Sequence, residues 1–146
     1  MLTNLKILLD SSVLISGLNS SIGASAAIFK LAEKSLIRII TTPYIVAETK
    51  TTIDKKFPKL STDLQNLIQN EIILVKSEPT KSYLHKAFSL IGDINDVPIL
   101  AAAMHLKVDY LVTLDKKHFI TDPQISDKSK IKIITPGQFM KIYRSM

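Results

Sequence analysis

The stretch LKILLD (residues 5–10) decides the fold class, because a continuous apolar run ends there in a carboxylate. Four more short runs rich in Ile, Val and Leu follow along the chain. The strands predicted from all five runs are Leu5–Leu9, 37–40, 72–75, Tyr110–Val112 and 131–134. Continuous apolar character is typical of parallel strands that are buried on both faces. The sequence therefore predicts a mostly parallel sheet covered by helices.

Longer segments between these runs carry apolar residues at three- and four-residue spacing, which indicates helices. They are 25–35, Pro43–Lys56, 62–70, 80–91, 96–107 and Pro136–Arg144. Ser25, Thr80 and Asp96 stand where an N-cap or a first-turn residue is expected. The polar segment 118–132 is interpreted as a surface excursion before the last strand. Strands alternating with helices predict an α/β fold with right-handed crossovers.

Composition limits the class of protein. The chain has 146 residues, with 46% hydrophobic and 22% charged, and we expect a single domain over residues 1–146. A net charge of +6 favours polyanionic partners such as nucleic acid. The absence of cysteine excludes disulfides, cysteine-ligated metals and a thiol nucleophile. We see no targeting segment and no apolar stretch near the roughly 18–20 residues that span a bilayer, so we expect a cytoplasmic protein without a membrane partner.

Four acids are predicted at one edge of the sheet. Asp10 directly follows the first strand, and Asp115 comes shortly after the fourth. Glu48 lies early in the helix that follows the second strand, and Asp96 opens the helix that leads into the fourth. Ligands of open parallel sheets bind outside the carboxyl ends of the strands. These acids are therefore candidate functional residues.

Four converging carboxylates would repel one another, since unit charges about 4 Å apart interact by roughly 4 kcal/mol at an effective dielectric near 20. A hard divalent cation, Mg²⁺ or Mn²⁺, would neutralise them and would prefer their oxygens as ligands. Each acid also has a simpler interpretation. Glu48 and Asp96 suit the start of a helix, where the dipole favours carboxylates, and Asp10 and Asp115 suit turns. The conjunction of the four favours a metal-dependent nuclease.

Four segments of the chain resemble the PIN-domain family of metal-dependent ribonucleases, and within it the branch related to VapC-type toxins of toxin–antitoxin systems. The segments are LLDSSVLISGL (8–18), VAETK (46–50), GDINDVPILAAA (92–103) and DYLVTLDKKHF (109–119). The resemblance covers nearly the whole chain. It implies a three-layer α/β/α fold with a central five-stranded sheet in the order 3-2-1-4-5. It also implies single-stranded RNA as the substrate, an antitoxin protein as a partner, and a homodimer.

The resemblance also assigns roles to residues. The family's four acids correspond to Asp10, Glu48, Asp96 and Asp115, which are expected to be catalytic and to bind the metal. Asp93 matches an additional acid, which is either an outer metal ligand or a helix cap. Thr113 matches a hydroxyl residue that holds a metal-bound water or an oxygen of an acid. Where the family commonly has Asp-Thr-Asn, this chain has Asp10, Ser11 and Ser12. It keeps a hydroxyl at Ser11 but loses an amide that would support Asp10.

Basic residues near the acids are candidates for binding the phosphate backbone of RNA. Lys116 and Lys117, beside Asp115, are the main ones, and the hydroxyls of Ser11 and Thr113 are further candidates for contact with the substrate. His118 stands where some toxins have another acid, and we interpret it as an exposed residue.

The sequence thus favours a metal-dependent endoribonuclease in which the acids hold one or two Mg²⁺ or Mn²⁺ ions that activate water. Two alternatives remain. A non-catalytic PIN-like module would bind nucleic acid or protein without cleavage. An aspartate-based phosphatase or a receiver domain would use Asp10 differently. However, a phosphatase of that kind usually has a second Asp at the position of Ser12, and a receiver has adjacent acids, which Ser11 interrupts.

Overall fold

The elements alternate along the chain as the sequence predicts. The computed structural model describes residues 4–115, 119 and 122–146. Their order is β1 (Leu5–Leu9), α1 (Ser11–Asn19), α2 (Ala24–Glu33), β2 (Ile37–Thr41), α3 (Pro43–Lys56), a 3₁₀ helix (Pro58–Leu60), α4 (Ser61–Gln69), β3 (Ile73–Val75), α5 (Lys81–Leu90), α6 (Val97–His105), β4 (Tyr110–Val112), α7 (Pro123–Ser129), β5 (Lys132–Ile134) and α8 (Pro136–Arg144).

The five strands form one parallel sheet in the order β3-β2-β1-β4-β5. Ile7 at the centre of β1 pairs with Ile39 of β2 on one side and with Tyr110 of β4 on the other. Helices lie on both faces, giving three α/β/α layers. The predicted fold class and strand order are confirmed.

The central strand and α6 are the most deeply buried elements. Ile7, Leu8 and Leu9 of β1 are fully buried. Seven of the nine residues of α6 are also buried, including the run from Ile99 to Met104. A helix that is apolar on every side belongs inside a core. This packing fixes the helix that follows Asp96 against the rest of the fold.

Two helices were missed by the sequence interpretation. α1 begins directly after β1, with only Asp10 between the two elements, and its serines and glycine are weak helix formers. Its start is set by Asp10, which occupies the N-cap and accepts a hydrogen bond from Ser11 N. The predicted surface excursion is wrong in part, because α7 lies within it. Asp122 caps α7 by accepting from Gln124 N, and Pro123 fills the first turn, so the start signals were present in the sequence.

The predicted helix starts are otherwise close. Thr80 and Asp96 do occupy N-cap positions, although neither side chain makes a capping hydrogen bond within its helix. Ser25 lies inside the first turn of α2, whose N-cap is Gly23. In the part of the chain that the structure describes, no single helix is long and apolar enough to cross a membrane. The pair α1 and α2, bent by 88°, passes that test of length and composition only when taken together.

Candidate active site

Asp10 is the centre of the site. It follows the last residue of β1, and its N–H donates to Val112 O at 3.0 Å, which extends the pairing of β1 with β4. The residue is only 6% exposed. Its Oδ1 accepts from Ser11 N at 2.6 Å, and its Oδ2 accepts from Thr113 Oγ1 at 2.8 Å. Donors on both oxygens fix the orientation of this buried carboxylate.

Glu48 lies beside Asp10, joined to it through one serine. Ser11 Oγ donates to Glu48 Oε1 at 2.9 Å and lies 3.4 Å from Asp10 Oδ1. The donors to both carboxylates in the described part of the chain are N–H and hydroxyl groups, not cations. The fold therefore places two negative charges side by side and leaves them without a positive neighbour among these partners.

The pKa of the Glu48 carboxyl is affected both by burial and by the neighbouring residues. Burial is the largest influence and raises the pKa of the Glu48 carboxyl above its usual range. The hydrogen bond from Ser11 lowers this pKa, and the negative charge of Asp10 raises it. A carboxyl with a raised pKa can hold a proton nearer to neutral pH than an ordinary glutamate.

Asp96 reaches the same region from α6. It is 8% exposed, and its backbone N–H donates to Asp93 O at 3.0 Å. Its proximity to the site is visible at Tyr44, in the first turn of α3. Burial raises the pKa of the Tyr44 phenol, and the negative charges of Glu48, Asp96 and Glu78 raise it further. Tyr44 therefore lies within the electrostatic field of both Glu48 and Asp96.

Thr113 connects Asp10 to Asp115. Its hydroxyl is fully buried, donates to Asp10 Oδ2 at 2.8 Å and accepts from Asp115 N at 2.9 Å. The prediction that Thr113 holds an oxygen of an acid is confirmed. Because the hydroxyl proton is already used, contact between Thr113 and substrate stays a prediction, as it does for Ser11.

Ser12 partly replaces the missing amide. Its Oγ lies 3.4 Å from Asp10 Oδ2 and accepts from Leu114 N at 3.3 Å. Both contacts are long, so the support is weaker than that from Thr113. Asp93 accepts from Asn95 N at 2.9 Å and so holds the turn before α6, while the N-cap itself is Asp96. A metal role for Asp93 stays a prediction.

The carboxylates do not form a closed metal cage. Within residues 4–115, 119 and 122–146, no group of three or more histidines, cysteines or acids is close enough to hold a metal ion. Mg²⁺ commonly takes only one or two protein carboxylates and keeps waters and substrate phosphate as its other ligands. Asp10 and Glu48 fit this mode because they are adjacent, oxygen-only and bonded to neutral donors. Lys116, Lys117 and His118 lie outside the described residues.

The comparisons with known proteins agree with the fold. The model of the PIN domain family matches residues 6–117. This match takes in all four acids and most of the chain, so the protein belongs to the PIN-domain family. No curated protein sequence matches the chain significantly.

Three solved structures share the fold. PAE2754 from Pyrobaculum aerophilum has a TM-score of 0.64 at 16% identity, over 98% of this chain and 92% of that one. VapBC2 from Rickettsia felis, bound to a DNA fragment from its promoter, has a TM-score of 0.65 at 15% identity, over 90% and 98%. VapC20 from Mycobacterium tuberculosis, a toxin that cleaves the sarcin–ricin loop, has a TM-score of 0.55 at 12% identity, over 76% and 91%.

Proposed function

We propose that this protein is a metal-dependent endoribonuclease that cleaves single-stranded RNA, and that it is the toxin of a toxin–antitoxin pair. The observation that carries the proposal is the Asp10–Glu48 pair, two carboxylates joined through Ser11 at the carboxyl edge of a PIN-domain sheet. Such a pair is costly for a protein that never binds a cation, since adjacent charges repel. The net charge of +6 supports an anionic substrate.

Asp10 and Glu48 would hold the ion, Mg²⁺ or Mn²⁺, with Asp96 and Asp115 as further ligands through water. When bound, the ion would screen the charge of the phosphodiester and lower the pKa of a coordinated water. Thr113 and Ser11 N keep Asp10 in one orientation throughout. This positioning is the contribution of the fold to the rate.

Glu48 is the residue that we assign to proton transfer. Water attacks the phosphorus in line, and Glu48 accepts one proton from that water as the new P–O bond forms. The bond from phosphorus to the 3′ oxygen breaks, and that oxygen takes up a proton from solvent water. The products carry 5′-phosphate and 3′-hydroxyl ends. Glu48 suits this role because Ser11 holds its carboxylate beside Asp10, where the ion and its water would be bound.

The toxin assignment rests on likeness to other proteins. VapC20 is described as a toxin that cleaves the sarcin–ricin loop, and VapBC2 as a complex bound to its promoter. By analogy, we propose that this chain has an antitoxin partner that covers the acidic groove and that it forms a homodimer.

The test is cleavage of end-labelled single-stranded RNA by the purified protein with Mg²⁺, with Mn²⁺ or with EDTA. We expect cleavage to require a divalent ion and to fall at least about 100-fold in Asp10→Asn and Asp96→Asn. Asp10→Asn is a well-matched variant, since asparagine is as good an N-cap as aspartate and α1 will still start at the same residue.

The control is Asp109→Asn, which removes a carboxylate at the opposite edge of the sheet. Asp109 accepts from Lys6 N at 2.8 Å and contacts none of the four acids in the described structure. It should cleave like the wild type. If the Asp10→Asn and Asp96→Asn variants cleave at the wild-type rate with both metals, the acids are not a nuclease site. Metal-independent RNA binding without cleavage would favour the non-catalytic module instead.

A further inference from the structure

A groove lies next to the acids, and the proposed cleavage step does not involve it. The groove, of about 350 Å³, is bordered by the starts of α2 and α8 and by the loop after β4. Gly23 and Ser25 line it from α2, Pro136 and Gly137 line it from α8, and Leu114 closes the side nearest the acids. Two helix N-termini therefore open onto one space, and the partial positive charges of both helix dipoles add there.

The start of α2 offers free backbone donors. Its N-cap is Gly23, which has no side chain to accept a hydrogen bond, and the first helical bond runs from Ala27 N to Gly23 O at 3.0 Å. Within the described structure, the N–H groups of Ala24, Ser25 and Ala26 have no backbone acceptor outside the helix. These three donors are the orphan groups that a helix start presents to a ligand.

Ser25 supplies the second, independent indication of a ligand. The residue is only 6% exposed and lines the groove, yet its hydroxyl makes no hydrogen bond with any described residue. The hydroxyl oxygen is open to solvent in the groove rather than sealed in the core, so its hydrogen-bond partner has to come from outside the chain. A ligand oxygen in the groove would provide it.

The start of α8 adds one more donor. A capping box uses Thr135 Oγ1 and the Gln138 side chain to satisfy two of its first amides, and Pro136 has no N–H. Gly137 N is left as the remaining first-turn donor of this helix. A side chain at Gly137 would also project into open space, since an added Cβ would meet only Thr135 Oγ1, at 4.0 Å.

The groove is a short step from the acids. Ser12, which contacts Asp10, and Ser16, which lines the groove, are four residues apart on α1. Four residues of α-helix rise about 6 Å and return to the same face. Leu114 forms the shared wall, because its N–H donates to Ser12 Oγ while its side chain borders the groove.

We propose that this groove binds a backbone phosphate of single-stranded RNA, next to the phosphate that is cleaved. The amides of Ala24, Ser25 and Ala26, the Ser25 hydroxyl and Gly137 N hold the phosphate oxygens. The exposed side chains of Ile22 and Leu114 give the adjoining base an apolar surface. The identity of the ligand as RNA rests on the proposed function, whereas the anion site rests on the groove alone.

The decisive variant is Gly137→Glu, which places a carboxylate in the groove at a helix start where acids are tolerated. We expect it to weaken binding of labelled single-stranded RNA in EDTA by about 5- to 30-fold and to reduce the salt dependence by about one phosphate contact. Gly137→Ala, which adds no charge, and Gln69→Glu, which adds one on the exposed end of α4, are the matched controls. Both should bind within about 2-fold of the wild type. Equal weakening by Gly137→Glu and Gln69→Glu would overturn the proposal.

Titration with inorganic phosphate, followed by amide NMR, separates this proposal from the proposed function. Shifts centred on Ala24, Ser25 and Ala26, weakened by Ser25→Ala, would support the anion site even if the protein cleaves no RNA. No shift at these amides would overturn the site even if cleavage is robust. Shifts with an acidic peptide but not with phosphate would also overturn it, in favour of a protein partner.

Discussion

The two edges of the sheet use similar charged groups in opposite ways. At the amino edge, Asp109 accepts from Lys6 N at 2.8 Å, and Lys6 Nζ donates to Leu106 O at 2.8 Å. Each charge there meets a group that stabilises the fold. At the carboxyl edge, Asp10 and Glu48 lie side by side on the same Ser11 hydroxyl. Burial raises the pKa of Glu48, and the negative charge of Asp10 raises it further.

This difference indicates that the charges at the amino edge stabilise the fold, whereas those at the carboxyl edge are candidates for function. Charges whose partners belong to the chain stabilise the folded state. Two like charges that lie side by side keep repelling each other even when each has donors from the chain, and a cation from outside, as we propose here, would neutralise them. Four measurements test this difference between the two edges of the sheet.

The largest effect is expected from divalent metal. A ligand that binds only the folded state stabilises it by about 2.7 kcal/mol at 100 times its Kd. We therefore expect saturating Mg²⁺ or Mn²⁺ to raise the Tm by roughly 5–12 °C. Differential scanning fluorimetry with EDTA as the reference measures this shift. The metal should have little effect on Asp10→Asn, and an equal shift in both proteins would place the ion elsewhere.

Thr113→Val should come next. The change keeps the shape of the buried side chain but removes the hydroxyl that joins Asp10 Oδ2 to Asp115 N. We expect a loss of about 1–3 kcal/mol in the free energy of unfolding and about a 10- to 100-fold loss in cleavage. Urea unfolding and cleavage rates measure the two losses. Thr113→Ser keeps the hydroxyl and should recover most of the activity; if it is as slow as Thr113→Val, the hydroxyl is not what matters.

Asp109→Asn tests the amino edge. Loss of the charge weakens the hydrogen bond from Lys6 N, so we expect about 0.5–1.5 kcal/mol less stability. Cleavage by the folded protein should stay unchanged when assayed well below the Tm. A large loss of cleavage without loss of stability would contradict the division between the two edges.

The smallest effect is expected from Glu48→Gln in the absence of metal. Because the pKa of Glu48 is raised in the folded state, the protonated form favours folding, and that contribution is lost as pH rises through the raised pKa. At neutral pH the glutamine variant should therefore have a Tm about 1–3 °C above that of the wild type. The gap should close as the pH falls below the usual range of glutamate. A variant that is less stable than the wild type at neutral pH would show that the charge of Glu48 does not destabilise the folded state.

The sequence predicted the fold well because its apolar runs all indicate the same arrangement, buried parallel strands that alternate with helices. Leu5–Leu9 and Tyr110–Val112 match observed strands in both bounds, and Pro43–Lys56 and Pro136–Arg144 match helices in both bounds. α1 was missed because Asp10, Ser11 and Ser12 were interpreted as part of the site or of a turn. Asp10 is in fact also the N-cap of this helix.

The candidate site could be predicted only as a set of acids. Chain order and sheet direction are enough to bring Asp10 and Glu48 to one edge. The hydrogen bonds that show which acids are adjacent depend on side chains that are distant in sequence. An example is the Ser11 hydroxyl, which donates to Glu48. Sequence spacing carries no signal for such contacts. The position of Tyr44 and the groove at Gly137 were missed for the same reason.

The strand order itself has a consequence for how the site could change over time. From β1 the chain moves first to β2 and β3 on one side and only later to β4 and β5 on the other. The connections that leave β1 and β4 therefore diverge, and a crevice opens between them at this topological switch point, where Asp10 and Thr113 lie. The strand order produces the crevice, whereas individual residues of the sequence supply the carboxylates. A descendant that lost its acids would lose the proposed metal site but keep the cleft, and the cleft could still bind a ligand without the proposed catalysis.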